Sequence, residues 1–88
     1  MSFHVTFTKE AIQALDRLDR KTEKRIQARI NEIALAPFSP RVSKLLKTSV
    51  NERTSRVGGW RIIYEVIDDL RMVKVLAIRP RGKAYKKL

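Results

Sequence analysis

Two consecutive glycines constrain this chain more than any other feature. Gly58 and Gly59 stand between Arg53-Thr-Ser-Arg-Val57 and Trp60-Arg-Ile-Ile-Tyr-Glu-Val66. Glycine takes positive φ at no steric cost, and a short hairpin connection needs that geometry. Aromatic and β-branched residues follow at once, so the stretch predicts two antiparallel strands joined by a tight turn. Arg61 falls just past that turn. Arg81 and Tyr85 fall just past the next predicted strand, within Ile78-Arg-Pro-Arg-Gly-Lys-Ala-Tyr85. Two guanidiniums and a phenol at the rims of adjacent strands are expected to converge on one phosphate.

The rest of the chain supplies the frame for that site. Ser2-Phe-His-Val-Thr-Phe7 alternates, with Phe3, Val5 and Phe7 on one side, and predicts a half-buried strand. His4, alone on the other side, reads as a solvent-facing residue rather than an acid or base. Thr8 is the expected N-cap of a helix, with Glu10 in the first turn, where the helix dipole favours an anion. Ala11, Leu15 and Leu18 repeat at i, i+4, i+7, and Ile12 and Ala14 widen the stripe. Asp19 interrupts the pattern and is expected to cap a second helix, whose apolar line is Ile26, Ile30 and Ile33. Lys21, Lys24, Arg25 and Arg29 stay off that line. Two readings are open for them, contacts to nucleic-acid phosphate or a solvated helix face. Two short amphipathic helices with little between them predict an αα-hairpin.

Ala36-Pro-Phe-Ser-Pro40 ends the second helix, because proline cannot continue it. Arg41 to Lys47 is expected to return the chain to the sheet through a short apolar anchor. Ser49 to Val57 is the second predicted strand, poor in apolar residues, and Trp60 to Ile67 is the third and most apolar. Asp68-Asp69 marks a turn rather than a metal pair, since adjacent turn carboxylates point in different directions. Leu70 to Ile78 is the fourth strand, stopped by Pro80. This order, β-α-α-β-β-β, predicts a single small α+β domain over residues 1–88. An antiparallel sheet carries the N-terminal helical hairpin on one face and leaves the other face open.

Charge separates the two halves. Residues 1–40 hold seven Lys/Arg and five Asp/Glu, a net of +2, whereas residues 41–88 hold thirteen and four, a net of +9. Such an imbalance points to a basic face aimed at a polyanion or an acidic protein partner. Without cysteine the chain has neither a disulfide framework nor a thiolate metal site, and with one histidine a conventional zinc site is not expected. No apolar run is long enough to cross a bilayer, and the N-terminus lacks a signal-peptide core, which predicts a cytoplasmic protein with no membrane partner.

The sequence resembles the RelE/ParE superfamily of small toxins from bacterial and archaeal toxin–antitoxin pairs over nearly its whole length. The resemblance is carried by the opening Phe-x-Val-x-Phe strand, the Ala-x-x-x-Leu-x-x-Leu helix and the approach from Pro40-Arg41 to Lys44-Leu45. The block Arg56-Val-Gly-Gly-Trp-Arg-Ile-Ile-Tyr64 and the terminal Arg81-x-x-x-Tyr85 complete it. RelE-type members cut messenger RNA in the ribosomal A site; ParE-type members bind DNA gyrase and are not nucleases. The paired arginines and the terminal tyrosine place this sequence closer to the RelE side. The resemblance implies a cognate antitoxin and a ribosome carrying mRNA as partners, with no cofactor, metal or small-molecule substrate. A basic RNA-binding module sharing only the fold is the remaining alternative.

RNA can be cut by attack of its own 2′-hydroxyl on the adjacent phosphorus. The protein must then deprotonate that hydroxyl, neutralise the phosphorane and protonate the leaving 5′-oxygen. Arginine suits the second task, as a permanently charged fork matched to phosphate oxygens. Arg61 and Arg81 are the candidates, set against a reading as ordinary strand-edge charges. Tyr85 acts either as the base, if cations lower its pKa, or as a positioning and stacking group. RelE-type nucleases often carry lysines on the second strand, facing the cleft; here that strand reads Glu52-Arg-Thr-Ser-Arg56. Lys47, Arg53, Arg56 and Lys83 are the candidates to supply RNA-binding charge instead. Trp60 either stacks on a base or packs against the helices, and its place at a strand start favours packing.

Overall fold

The structure, a computed structural model, describes residues 2–45 and 51–80. Its elements are β1 (His4–Phe7), α1 (Lys9–Arg17), α2 (Arg20–Leu35), β2 (Lys44–Leu45), β3 (Glu52–Val57), β4 (Trp60–Ile67) and β5 (Met72–Pro80). The five strands form one sheet in the order β1-β5-β4-β3-β2.

Local chemistry starts both helices where expected. The Thr8 hydroxyl accepts from Ala11 N at 3.1 Å and donates to Leu76 O at 2.7 Å, so one side chain caps α1 and ties it to β5. Asp19 accepts from Thr22 N at 3.1 Å, and that bond holds its carboxyl below the usual range. Ile26, Ile30 and Ile33 of α2 are buried to within 2 % and pack with Ala11 against Val57, Ile62, Tyr64, Val73, Val75 and Ile78. Each such isoleucine contributes about 1.5–3 kcal/mol of burial. Ile12 is the exception, 49 % exposed. The nine-residue α1 turns Ala11, Ala14 and Leu15 inward, its C-cap Leu18 joins them, and Ile12 lies about 100° round the helix from Ala11. His4 is exposed and Trp60 packs against the core, both as anticipated.

The α+β class, the element order and the helical hairpin on one face are as expected, with two differences in the sheet. β1 pairs in parallel with β5, Val5 opposite Val73 and Phe7 opposite Val75, so the sheet is mixed rather than wholly antiparallel. Alternation reveals that a strand exists but not which way its partner runs. Parallel pairing needs a long crossover, and everything between β1 and β5 supplies it. The second difference is the short strand β2, which pairs antiparallel with β3. Its Leu45 is 54 % exposed and joins the sheet by backbone pairing, so the apolar contact that the described part of this segment makes to the core comes from Val42. Leu46 and Lys47 lie outside the described residues.

The β3–β4 hairpin turns on Gly58, whose φ of +57° is the one positive value in the glycine pair. Positive φ at the first central residue alone is the pattern of a type II′ connection. Between β4 and β5, Asp68–Leu70 forms a single 3₁₀ turn closed by Arg71 at φ 52°, and β5 begins at Met72 rather than Leu70. Pro80 is the last described residue of β5, opposite Trp60, rather than a stop before it. Register along this pair jumps from Ile63↔Ala77 to Tyr64↔Val75, which leaves Leu76 as an extra residue. That bulge lets both Val75 and Ile78, three residues apart, face the helices. The Leu76 carbonyl is the one Thr8 takes. Among the described residues no helix is long and apolar enough to cross a membrane.

Candidate nucleic-acid interface

Cross-strand partners share a sheet face, so the register decides which charges meet. Ile62 and Tyr64 of β4 face the helices, and Arg61 therefore faces away. Its partner on β3 is Arg56 and its partner on β5 is Arg79. Three arginines thus lie in one row across three neighbouring strands, with Cβ atoms of opposed residues about 4.5–5.5 Å apart. Like charges placed directly opposite destabilise a sheet unless something negative lies between them. Arg79 already has an answer to its charge, reaching Glu10 at the start of α1 at 3.1 Å. This pair is half exposed and worth little to stability, but it draws the Arg79 guanidinium toward α1.

Next to the arginine row on the same face come Thr54, Ile63 and Ala77, register partners that are all buried. Beyond them lie Glu52, Glu65 and Lys74. Four residues of strand separate Arg61 from Glu65, about 13 Å, so the acids form a separate end of the face. Positive charge on this face is therefore gathered at the arginine end of the sheet.

Arg53 is not brought into this row. It pairs with Tyr64 and so faces the helices, under the loop that joins α2 to β2. There its Nε donates to Ser43 Oγ at 2.9 Å, its Nη2 donates to Phe38 O at 3.3 Å, and its guanidinium lies 5.9 Å from the Phe38 ring centre. The Tyr64 hydroxyl sits 2.6 Å from both Pro37 O and Ser43 Oγ. With one proton to give, it donates to the carbonyl and takes the proton of Ser43. Burial pushes the Tyr64 phenol above its ordinary value, although the Ser43 contact and the Arg53 charge oppose the shift. Arg53 is thereby part of the scaffold beneath the sheet. Glu52 and Thr54, its neighbours, are the β3 residues on the arginine face.

Of the other residues singled out by sequence, Arg56 and Arg61 lie opposite one another, while Lys47, Arg81, Lys83 and Tyr85 lie outside the described residues. Arg79 is not among the residues singled out by sequence. Counting back from the Asp68 turn would set Ile78 opposite Arg61. The Leu76 bulge moves Arg79 into that place, and no local residue pattern announces it. No group of His, Asp or Glu among the described residues is arranged to hold a metal ion.

Comparison with known proteins places this geometry in context. Residues 5–85 match the model of a family described as the ParE toxin of type II toxin–antitoxin systems, parDE. No curated protein sequence matches the chain. Among solved structures, a chain of the archaeal RelE–RelB complex from Pyrococcus horikoshii is similar, with a TM-score of 0.76 and 24% identity over 94% of this chain and 99% of that one. The isolated RelE toxin of E. coli gives a TM-score of 0.80 at 18% identity, covering 98% of this chain and 94% of that one. A RelBE toxin–antitoxin complex from Mycobacterium tuberculosis gives 0.66 at 28% identity, covering 92% and 100%.

Proposed function

This chain belongs to the ParE toxins of type II toxin–antitoxin systems, within the RelE/ParE superfamily, and we propose that it acts as a RelE-type endoribonuclease, cutting messenger RNA in the ribosomal A site. The observation that carries this reading is the opposition of Arg56 and Arg61 on the face away from the helices. Side chains from opposed positions on neighbouring strands leave the same face, where two planar forks can take the oxygens of one phosphate as it gains charge.

In the proposed reaction the 2′-oxygen attacks phosphorus as its proton passes to a base. The bond from phosphorus to the 5′-oxygen breaks, and an acid protonates that oxygen. The products are a 2′,3′-cyclic phosphate and a 5′-hydroxyl. Arg61 and Arg81 neutralise the phosphorane, a contribution that matters because the charge appears only in the transition state. Tyr85 serves as base or stacks a nucleobase, and Arg56, Lys47 and Lys83 hold neighbouring phosphates. A cognate antitoxin restrains the activity; the similar chains from P. horikoshii and M. tuberculosis come from complexes with such partners.

A second reading, inhibition of DNA gyrase without nuclease activity, is favoured by the ParE family match and by Glu52 and Thr54 where RelE-type nucleases often carry cations. Expression in cells separates the two. The nuclease reading expects growth arrest with truncated messages and no SOS response, abolished by Arg81→Ala with antitoxin binding retained. SOS induction with messages intact, or undiminished killing by Arg81→Ala, would contradict the assignment.

A further inference from the structure

A second concentration of cations lies around the edge of the sheet from the arginine row. One cleft of about 320 Å³ opens between α2, the α2–β2 connection and β3, lined by Arg29, Arg41, Lys44, Thr54 and Arg56 among others. A neighbouring cleft of about 280 Å³ is lined by Arg25, Arg29, Arg56 and Gly58 among others. The two share Arg29 and Arg56, so together they form a continuous basic groove beside β3.

Arg29 is fixed in place. Its Nη1 donates to Ser55 Oγ at 2.9 Å and to Arg56 O at 2.8 Å, and its Nε donates to Glu32 at 2.9 Å. The guanidinium therefore satisfies part of the β3 edge that β2 is too short to cover, at little further entropy cost when it meets a ligand. By contrast, the side chains of Arg41, Lys44 and Arg56 make no hydrogen bond to any described residue. The Thr54 hydroxyl is buried and has no hydrogen-bond partner either. Five cations face one carboxylate here, and that carboxylate is already bound to Arg29.

We infer that this groove holds phosphates of a single-stranded RNA backbone and leads the strand toward Arg56 and Arg61. Planar forks and an ammonium suit phosphate oxygens. An acidic peptide is the competing occupant, since Leu35 and Val42 line an adjoining cleft of about 410 Å³. Five cations against one carboxylate already bound to Arg29 favour instead a ligand charged at every unit of its backbone. The inference deepens the nuclease reading and rests on it for the identity of the strand, but its test involves no cleavage.

The test is fluorescence anisotropy of a labelled ten-nucleotide oligouridine with the full chain between 50 and 200 mM salt. Wild type is compared with Arg41→Gln/Lys44→Gln and with a charge-matched control, Lys21→Gln/Lys24→Gln, on exposed positions of α2. All four side chains are exposed, so each variant should melt like wild type. The groove pair is expected to lower the slope of log K against log salt by about 1.4, two phosphate contacts at roughly 0.7 each, while the control leaves it unchanged. Equal losses from both pairs would mean a diffuse field and overturn the groove. So would an unchanged slope for the groove pair, or binding of an oligoglutamate through Arg41 and Lys44 in place of RNA. Failure to cleave ribosome-bound message beside a reduced slope would count against the nuclease and leave the groove standing.

Discussion

A single hydroxyl shows how tightly the scaffold under the site is specified. Tyr64 is fully buried, and its oxygen joins Pro37, Ser43 and, through Ser43, Arg53. Tyr64→Phe keeps the ring but removes the 2.6 Å donor to Pro37 O and leaves that carbonyl only the longer contact to Ser43 Oγ at 3.5 Å, so a loss of about 1–2 kcal/mol is expected in denaturant unfolding. The same group sets a pH dependence. The unfolded chain releases a tyrosine proton near pH 10, whereas burial keeps the folded phenol protonated beyond that point. Its contribution is therefore complete below about pH 10 and is lost as pH rises toward the folded-state value. Unfolding measured from pH 8 to 11 should show wild type weakening above pH 10, with that part of the fall missing in Tyr64→Phe. Tyr64 and Ile62 were legible as central-strand residues because the run is so apolar. The inward direction of Arg53 was not. β3 carries polar groups on both faces, so alternation alone leaves its phase open.

At the scale of elements, the two glycines have different jobs. Gly58 adopts φ +57°, and a Cβ there would lie 3.1 Å from the Arg25 guanidinium; at Gly59 nothing lies within 4 Å of an added Cβ. Gly58→Ala should cost about 1–2 kcal/mol for the left-handed conformation, with Arg25 also pushed aside. Gly59→Ala should be nearly neutral, and thermal melts of the two variants check the contrast. Helices α1 and α2 were legible from their caps and from apolar residues at i, i+4, i+7, because those signals act within one or two turns. β2, the parallel partner of β1 and the Leu76 bulge were not, since each is decided by backbone pairing between residues far apart in sequence. The bulge sets Arg79 rather than Ile78 opposite Arg61.

For the molecule as a whole, the +9 half of the chain resolves into distinct places. Arg56, Arg61 and Arg79 form a row on the open face, Arg53 is consumed by the scaffold, and Arg41 and Lys44 line the groove beside β3. Composition announced a basic partner surface, and only the strand register distributes its charges between binding and support. The helices cover one face and leave the arginine row on the other. The most direct test of the central claim is primer extension on a defined message in purified 70S ribosomes with an empty A site. The account predicts a cut within the A-site codon that disappears in Arg61→Ala, while the variant still binds its antitoxin. An intact message with the wild-type chain, or an undiminished cut with Arg61→Ala, would contradict it.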